Sequence, residues 1–510
     1  MEKLKIIGII LMIALLISIL PSCDKWAKEV DPLISRIEDE NLDDESTLEF
    51  QLIGLLGRLG GRGEWSGINF GLYRIGGYSD EFYPVAGAPG SGSPDFLTFA
   101  QEQGMTMDVD FVVPDWENYH EIRWQADQLV KRTEELEQIT DADIESACLW
   151  WGNMIGGVMR MYLGEHWCLT KGGEAGAVVT TIEQYNNGEF GEWQTMGELH
   201  ELARAKFTAA KNWDPGNYEG LDPGTGDRVA NSFIARTYLF DGNYAQAKTF
   251  AEQGLQDGDT PFHIYSDYQY YNGWWAGVGR YAGYWNTWSV PERFVQYVLD
   301  DRKEGEIITE MEAGEDPNNL TNSLRGYEGD GLGHKDADDP RSEVANPDER
   351  LPLWERGIKD GDALAYQVDL FFREDIFPLI DWREMEMILA EVAIDAGDLG
   401  TAVTHINNVR EHHGLDPYTI DDMNNYDNEY GGASTTHWPD FYGRTPVSMT
   451  NITGPLGLLI EERDKTLWMK GTRIVDQTRF DLWHMEATTW QLLPVPLEER
   501  IKNPNISTDL

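Results

Sequence analysis

Cysteine is nearly absent: Cys23, Cys148 and Cys168 are the three in 510 residues. That excludes a disulfide framework, and none of them stands at a zinc-binding spacing. Basic residues are also scarce, with 40 Lys and Arg against 89 Asp and Glu, so the formal charge is −49. A surface of that sign repels phosphate backbones and anionic headgroups, which excludes nucleic acid as a partner. Long apolar runs are missing apart from Ile6 to Leu20, which falls short of the ~20 residues that a spanning helix needs. Enzyme motifs are missing as well. His200 and Glu201 begin an H-E-x-x-H pattern, but position 204 is Arg, so the second zinc ligand is lost. Gly87, Gly90 and Gly92 lie in a loop with Pro and Ser, not between a strand and a helix. There is no G-x-S-x-G and no P-loop Lys. A carboxylate pair at glycosidase spacing leaves no mark in a sequence, so a hydrolase stays open on this ground alone.

What the chain does contain begins at its N-terminus. Lys3 and Lys5 precede the Ile6 to Leu20 run, which ends in Leu20, Pro21, Ser22 and Cys23. A charged start, a short apolar core and a small residue before Cys form a lipoprotein signal pattern. Residues 1–22 are expected to be removed and Cys23 to carry acyl chains, each buried CH₂ adding about 0.8 kcal/mol of membrane affinity. The alternative is an ordinary signal peptide that contains a Cys. Residues 23–46 then form an acidic tether, and residues 47–510 the folded part. Loss of residues 1–22, with two Lys and one Glu, takes the mature charge to −50.

The folded part is expected to be mainly α. Ala235, Gly242 and Ala247 recur as Ala390, Gly397 and Ala402 with the same steps of seven and five residues. Small residues at those steps let two helices approach closely, and Gly with Asn243 or Asp398 makes the turn, so residues 228–256 and 382–412 are expected to be tetratricopeptide-like hairpins. Further helices are expected over Asp115 to Leu136, from Asp143 to about Gly164, and over Met196 to Ala210. A helix there separates Cys148 from Cys168 by more than about 20 Å unless the chain doubles back, so both are read as buried free thiols. Residues 261–350 lack a sustained helical period and are read as loops with short strands.

A long ordered pattern closes the chain. Ile460, Glu462, Arg463, Gly471, Arg473, Asp476, Arg479, Leu493, Pro494, Pro496, Glu499, Asn503 and Pro504 fall in sequence as I-E-E-R, G-x-R, D-x-x-R-F, L-P-x-P-x-x-E and N-P. Trp382, Glu384, Ala390, Glu391, Gly397, Ala402, Asn407 and Arg410 precede it in the second hairpin. This pattern resembles the SusD/RagB family of nutrient-uptake outer-membrane lipoproteins, from roughly Thr47 onward. One departure is Val392, where that hairpin commonly has Ala. The resemblance implies a SusD-like α-helical fold with a loop-rich binding region. It also implies an outer-membrane address facing the cell exterior through the lipid anchor, and a SusC-like TonB-dependent transporter as partner. The implied activity is non-catalytic capture of oligosaccharides or polysaccharides. Binders of peptides or other nutrients belong to the same group of relatives, and a surface glycoside hydrolase or a protein-binding helical scaffold are the other classes.

Ligand residues are sought where family motifs are weakest. Residues 261–288 read PFHIYSDYQYYNGWWAGVGRYAGYWNTW. Flat Trp and Tyr faces match the C–H faces of sugar rings, although most large aromatics are used for packing. Trp274, Trp275, Tyr284, Trp285 and Trp288 are the chosen candidates. In the stretch WSGINFGLYRIGGYSDEFY, Trp65, Arg74 and Asp80 could add one ring and two hydroxyl-binding groups, the simpler role for Arg74 and Asp80 being structural pairing. No cofactor or metal is expected. The loop holding Asp330, Asp336, Asp338 and Asp339 lacks the alternation of an EF-hand, so a structural Ca²⁺ is conceivable but not expected.

The charge generates a prediction. Self-repulsion of a −50 chain is screened by salt over a Debye length of about 3 Å at 1 M. Raising NaCl from about 0.05 to 1 M is expected to raise the thermal midpoint, followed by circular dichroism; a flat or falling midpoint would show that repulsion does not limit stability.

Overall fold

The computed structural model describes residues 42–61, 67–81, 83–84, 107, 112–222, 224–264, 288–289, 294, 350, 353–357, 364–368, 377–428, 452–483 and 488–506. Helix α1 (Glu45–Gly60) starts where Asp44 accepts a bond from the Ser46 amide at 2.8 Å, satisfying a donor that the first helical turn leaves free. α2 (Ile68–Tyr78) leads to strand β1 (Tyr83–Pro84). α3 (Val112–Glu135) begins a little before the expected Asp115, with Pro114 accommodated in its first turn.

α4 (Ala142–His166) is the axis of the molecule. Every residue from Ala147 to His166 is buried, including Trp150 and Trp151, because α1, α3 and α6 (Met196–Ala210) cover it on different sides. A helix buried all round has no polar stripe to show in the sequence. Between α4 and α6 lie β2 (Trp167–Cys168), β3 (Gly176–Val178), α5 (Ile182–Asn186) and β4 (Trp193–Thr195), with β3 and β4 paired antiparallel. Thr195 and Glu198 form a reciprocal capping box at the start of α6.

The two expected hairpins are present and share turn geometry. α7 (Gly226–Phe240) and α8 (Tyr244–Ala251) meet at Gly242, φ +73°; α9 (Trp382–Asp395) and α10 (Leu399–His412) meet at Gly397, φ +74°. Only glycine adopts that backbone without a Cβ penalty. Asn243 then caps α8 by accepting from the Gln246 amide at 3.2 Å, and Asp398 caps α10 by accepting from Thr401 at 3.1 Å. Ala235, Ala247, Ala390 and Ala402 are fully buried, as close helix approach requires. Cys148 and Cys168 are free and buried.

β5 (Phe262–Ile264), β6 (Trp288–Ser289), β7 (Leu353–Gly357), β8 (Leu364–Val368) and β9 (Phe377–Ile380) precede α9, and the described strands form only two-stranded sheets. After α10 come α11 (Ile420–Asn425), β10 (Asp427–Asn428), β11 (Ile452–Thr453), α12 (Gly454–Thr466), α13 (Arg473–Phe480), β12 (Leu493–Pro494) and α14 (Leu497–Lys502). β12 runs parallel to β2, Leu493 opposite Trp167, so the C-terminal segment closes on the exit of α4.

Buried ion pairs join these elements. Arg236 of α7 donates to both oxygens of Glu384 on α9 and to the Leu379 carbonyl at 2.8 Å; it is fully buried, with Glu384 1% exposed. Arg463 of α12 makes a two-pronged contact with Asp476 of α13 at 3.0 and 2.9 Å, and Arg479 reaches the same carboxylate at 2.9 Å and also Glu391. Glu462 accepts from Arg410 at 2.8 Å and Arg350 at 2.7 Å, and these cations hold its carboxyl far below the usual range against the opposing effect of burial. The charged positions of the C-terminal pattern are therefore fasteners between helices. Replacing Glu384 by Gln leaves Arg236 buried without a counter-charge, with an expected cost of about 3–5 kcal/mol. Replacing both by Met is expected to recover most of it, measured by denaturant unfolding.

Candidate functional site

The chain from Tyr78 to Glu81 is held by the C-terminal segment. Asp80 stands at φ +67°, an uncommon conformation for a residue with a side chain. Its two oxygens accept from Nε and Nη2 of Arg473 at 2.8 and 3.1 Å, and both groups are buried. Next to it, Glu81 Oε1 accepts from the Met469 amide at 2.7 Å, and Met469 has φ +68°. Tyr78 donates its hydroxyl hydrogen to the Trp490 carbonyl. Gly471 lies inside this clamp at φ +75°, and a Cβ there would meet Leu72 at 2.5 Å, which accounts for the glycine of the G-x-R pattern. The Gly471 carbonyl accepts from His166 Nε2 at 3.3 Å, while His166 Nδ1 faces the Tyr119 hydroxyl at 3.5 Å. Burial pushes the His166 pKa down to about 3, so the imidazole is neutral, with its proton assigned to Nε2.

The clamped segment runs into β1, which pairs antiparallel with β6: Tyr83 stands opposite Ser289, and Pro84 opposite Trp288. β6 also lies beside β8, and β8 pairs with β7 from Leu353 opposite Val368 to Gly357 opposite Leu364. Upstream, β5 pairs with β9, Phe262 opposite Ile380. Ile264 in β5 and Trp288 in β6 are thus the described ends of the aromatic stretch. Trp288, the last of its rings, is paired by its backbone with Pro84, next to Tyr83 at the end of the 65–83 stretch.

Of the expected ligand residues, Trp65, Trp274, Trp275, Tyr284 and Trp285 lie outside the described residues, as do Cys23 and the acidic loop from Asp330 to Asp339. Trp288 is placed by its backbone in β6. Arg74 and Asp80 differ from the expectation of a hydroxyl-binding surface. Arg74 is 5% exposed against Asp115 of α3, and Asp80 is 1% exposed against Arg473. Burial raises the Asp115 pKa to about 6 although Arg74 pulls it down. Charges in a Ser- and Gly-rich stretch read as surface groups, but here each is met inside the fold by an opposite charge. His200, from the incomplete zinc pattern, is buried with Nδ1 2.7 Å from Asp241 and Nε2 3.4 Å from Glu165, while Glu201 is exposed. Among the described residues, no group of three or more His, Cys, Asp or Glu is placed to hold a metal ion. Glu81 and Met469 were not anticipated, since an amide-to-carboxylate bond spanning 388 residues has no local signature.

No protein-family model matches the sequence, and no curated protein is significantly similar to it. Its structure has clear relatives. A SusD superfamily protein from Bacteroides thetaiotaomicron VPI-5482 superposes with TM-score 0.60 at 15% identity, covering 91% of this chain and 99% of that one. A SusD superfamily protein from Bacteroides vulgatus ATCC 8482 gives 0.57 at 13%, with coverages of 91% and 98%. The chain has the SusD-like fold. A SusD-like carbohydrate-binding protein from Bacteroides fragilis NCTC 9343 is also similar, with TM-score 0.58, 14% identity, and coverages of 91% and 99%. At such low identity the agreement is in the path of the backbone. No helix among the described residues of this SusD-like chain is long and apolar enough to cross a membrane.

If the clamp holds the strand pair, weakening it releases β1 and β6 first. Asp80→Asn is expected to speed hydrogen exchange in peptides spanning 83–84 and 288–289 by about 10-fold or more relative to those of α4. Exchange that rises equally in α4, or nowhere, would separate the clamp from the strands.

Proposed function

We propose that this chain is a non-catalytic surface lipoprotein that captures oligosaccharides or polysaccharides and passes them to a SusC-like TonB-dependent transporter in the outer membrane. The observation that carries the reading is a SusD-like fold in which Trp288, the last residue of the aromatic stretch, is paired by its backbone with Pro84, beside the end of the 65–83 stretch. Stacked rings and a few polar groups bind sugars by many modest contacts, so affinity per site is low and release remains easy. The description of similar structures as carbohydrate-binding proteins supports this class of ligand. The lipoprotein signal pattern ending at Cys23 supports the anchor, and with it a position at the membrane surface.

Full-length protein in detergent, screened against a panel of polysaccharides and peptides, is expected to bind at least one glycan and to release no shortened product. Joint replacement of Trp274, Trp275, Tyr284 and Trp285 by Ala is expected to weaken that binding by about 10-fold or more, at the ~1–3 kcal/mol that one stacked ring contributes in comparable aromatic platforms. Binding of peptides alone would overturn the glycan reading. Product release would favour a hydrolase, and unchanged glycan binding would move the site elsewhere.

A further inference from the structure

Although the chain has a net charge of −49, a cluster among the described residues carries a local excess of positive charge. Arg123 on α3, Arg160 on α4 and Lys206 on α6 converge on the single carboxylate of Asp127. Arg123 Nη1 donates to Asp127 Oδ2 at 3.0 Å, and Arg160 Nη2 donates to the same oxygen at 2.7 Å. Lys206 Nζ stands 3.3 Å from Oδ1. Among the described residues, each of these three cations has its ion pair with Asp127. Three positive groups against one negative group leave an excess of two, in a place where their side chains are 3%, 9% and 24% exposed. Burying unbalanced charge is costly, and the cost falls when an anion enters.

Polar atoms without partners mark where such an anion would sit. Arg123 Nε is buried and donates to nothing, although its side chain is only 3% exposed. His120, one helical turn before Arg123, has a buried and unpartnered Nε2, and the charges of Arg123 and Arg160 reach its ring. Arg160 cannot turn its other arm to the site, because Nη1 is held by the Gly156 carbonyl at 2.9 Å. Lys206 provides the edge open to solvent. Glu134, farther along α3, exerts a weaker pull on Lys206.

We propose that His120, Arg123 and Lys206, with the charge of Arg160 behind them, form a binding site for a small oxyanion, a sulfate or carboxylate, beside Asp127. The oxyanion is either a free ion or a substituent of an acidic sugar. Charge-assisted hydrogen bonds from guanidinium and ammonium groups suit such an anion. This proposal does not rest on the glycan reading.

The test uses full-length protein titrated with sodium sulfate at constant ionic strength, balanced with NaCl, and followed by calorimetry and thermal midpoint. Wild-type protein is expected to show saturable binding and an upward midpoint shift that NaCl does not reproduce. Lys206→Gln removes the most exposed of the cations, so folding is kept, and is expected to weaken sulfate binding about 10-fold or more. Arg123→Gln is expected to do the same. Asp127→Asn removes the competing carboxylate and is expected to tighten sulfate binding. A wild-type response equal to that of NaCl, or a Lys206→Gln protein that titrates like wild type, overturns the site. Glucose 6-sulfate, glucuronate and glucose separate the two sources. Acidic sugars that bind more tightly than sulfate while glucose is silent assign the site to a glycan substituent, and sulfate binding at least as tightly assigns it to the free ion.

Discussion

A guanidinium withdrawn from water is tolerated only when carboxylates or carbonyls surround it with good geometry. Much of this fold rests on meeting that condition at Arg236, Arg463, Arg473 and Arg479. Arg236, Arg473 and Arg479 join elements that are distant in sequence, Arg463 joins the successive helices α12 and α13, and each is held by at least one carboxylate carried by another element. The pairs contribute less by raw stabilisation than by mutual constraint. Shifting α12 against α13 would break the two-pronged contact of Arg463, and shifting α9 would strand Arg236 and take from Arg479 one of its two carboxylates. Apolar packing around α4 supplies the bulk of the burial, while the ion pairs select one relative placement of the helices.

Much of the helical body was legible in the sequence, because the signals are local. Asn243 and Asp398 cap helices that begin immediately after them, and Gly242 and Gly397 supply a left-handed turn at the same step from the flanking alanines. The free, buried state of Cys148 and Cys168 followed from the helix between them. Structural pairing was the simpler reading of Asp80, but its partner was hidden for a physical reason. Its partner is Arg473, 393 residues away, and an Asp beside Ser and Gly looks the same in sequence whether it faces water or a guanidinium. The pairing of β1 with β6 was equally hidden, since strands of two residues have no period to read.

The candidate binding region shows the opposite balance. Composition identified the aromatic stretch, because ten Trp and Tyr rings between 265 and 288 is a large local excess. Which rings present a face to a ligand depends on placement, and composition carries no placement. The C-terminal pattern, in turn, names the fold through residues that never need to touch a ligand. Arg473 and Gly471 act on the region only through the backbone that they hold.

The closure of the chain on itself also bears on when the protein can become compact. Tyr78 bonds to Trp490, Asp80 to Arg473 and Trp167 lies beside Leu493, so the middle of the molecule stays incomplete until its last segment has been made. Contacts of such sequence separation form late and slowly. A nascent chain whose residues 469–494 are still to be made therefore lacks the partners of Tyr78, Asp80 and Trp167, and its N-terminal part stays open.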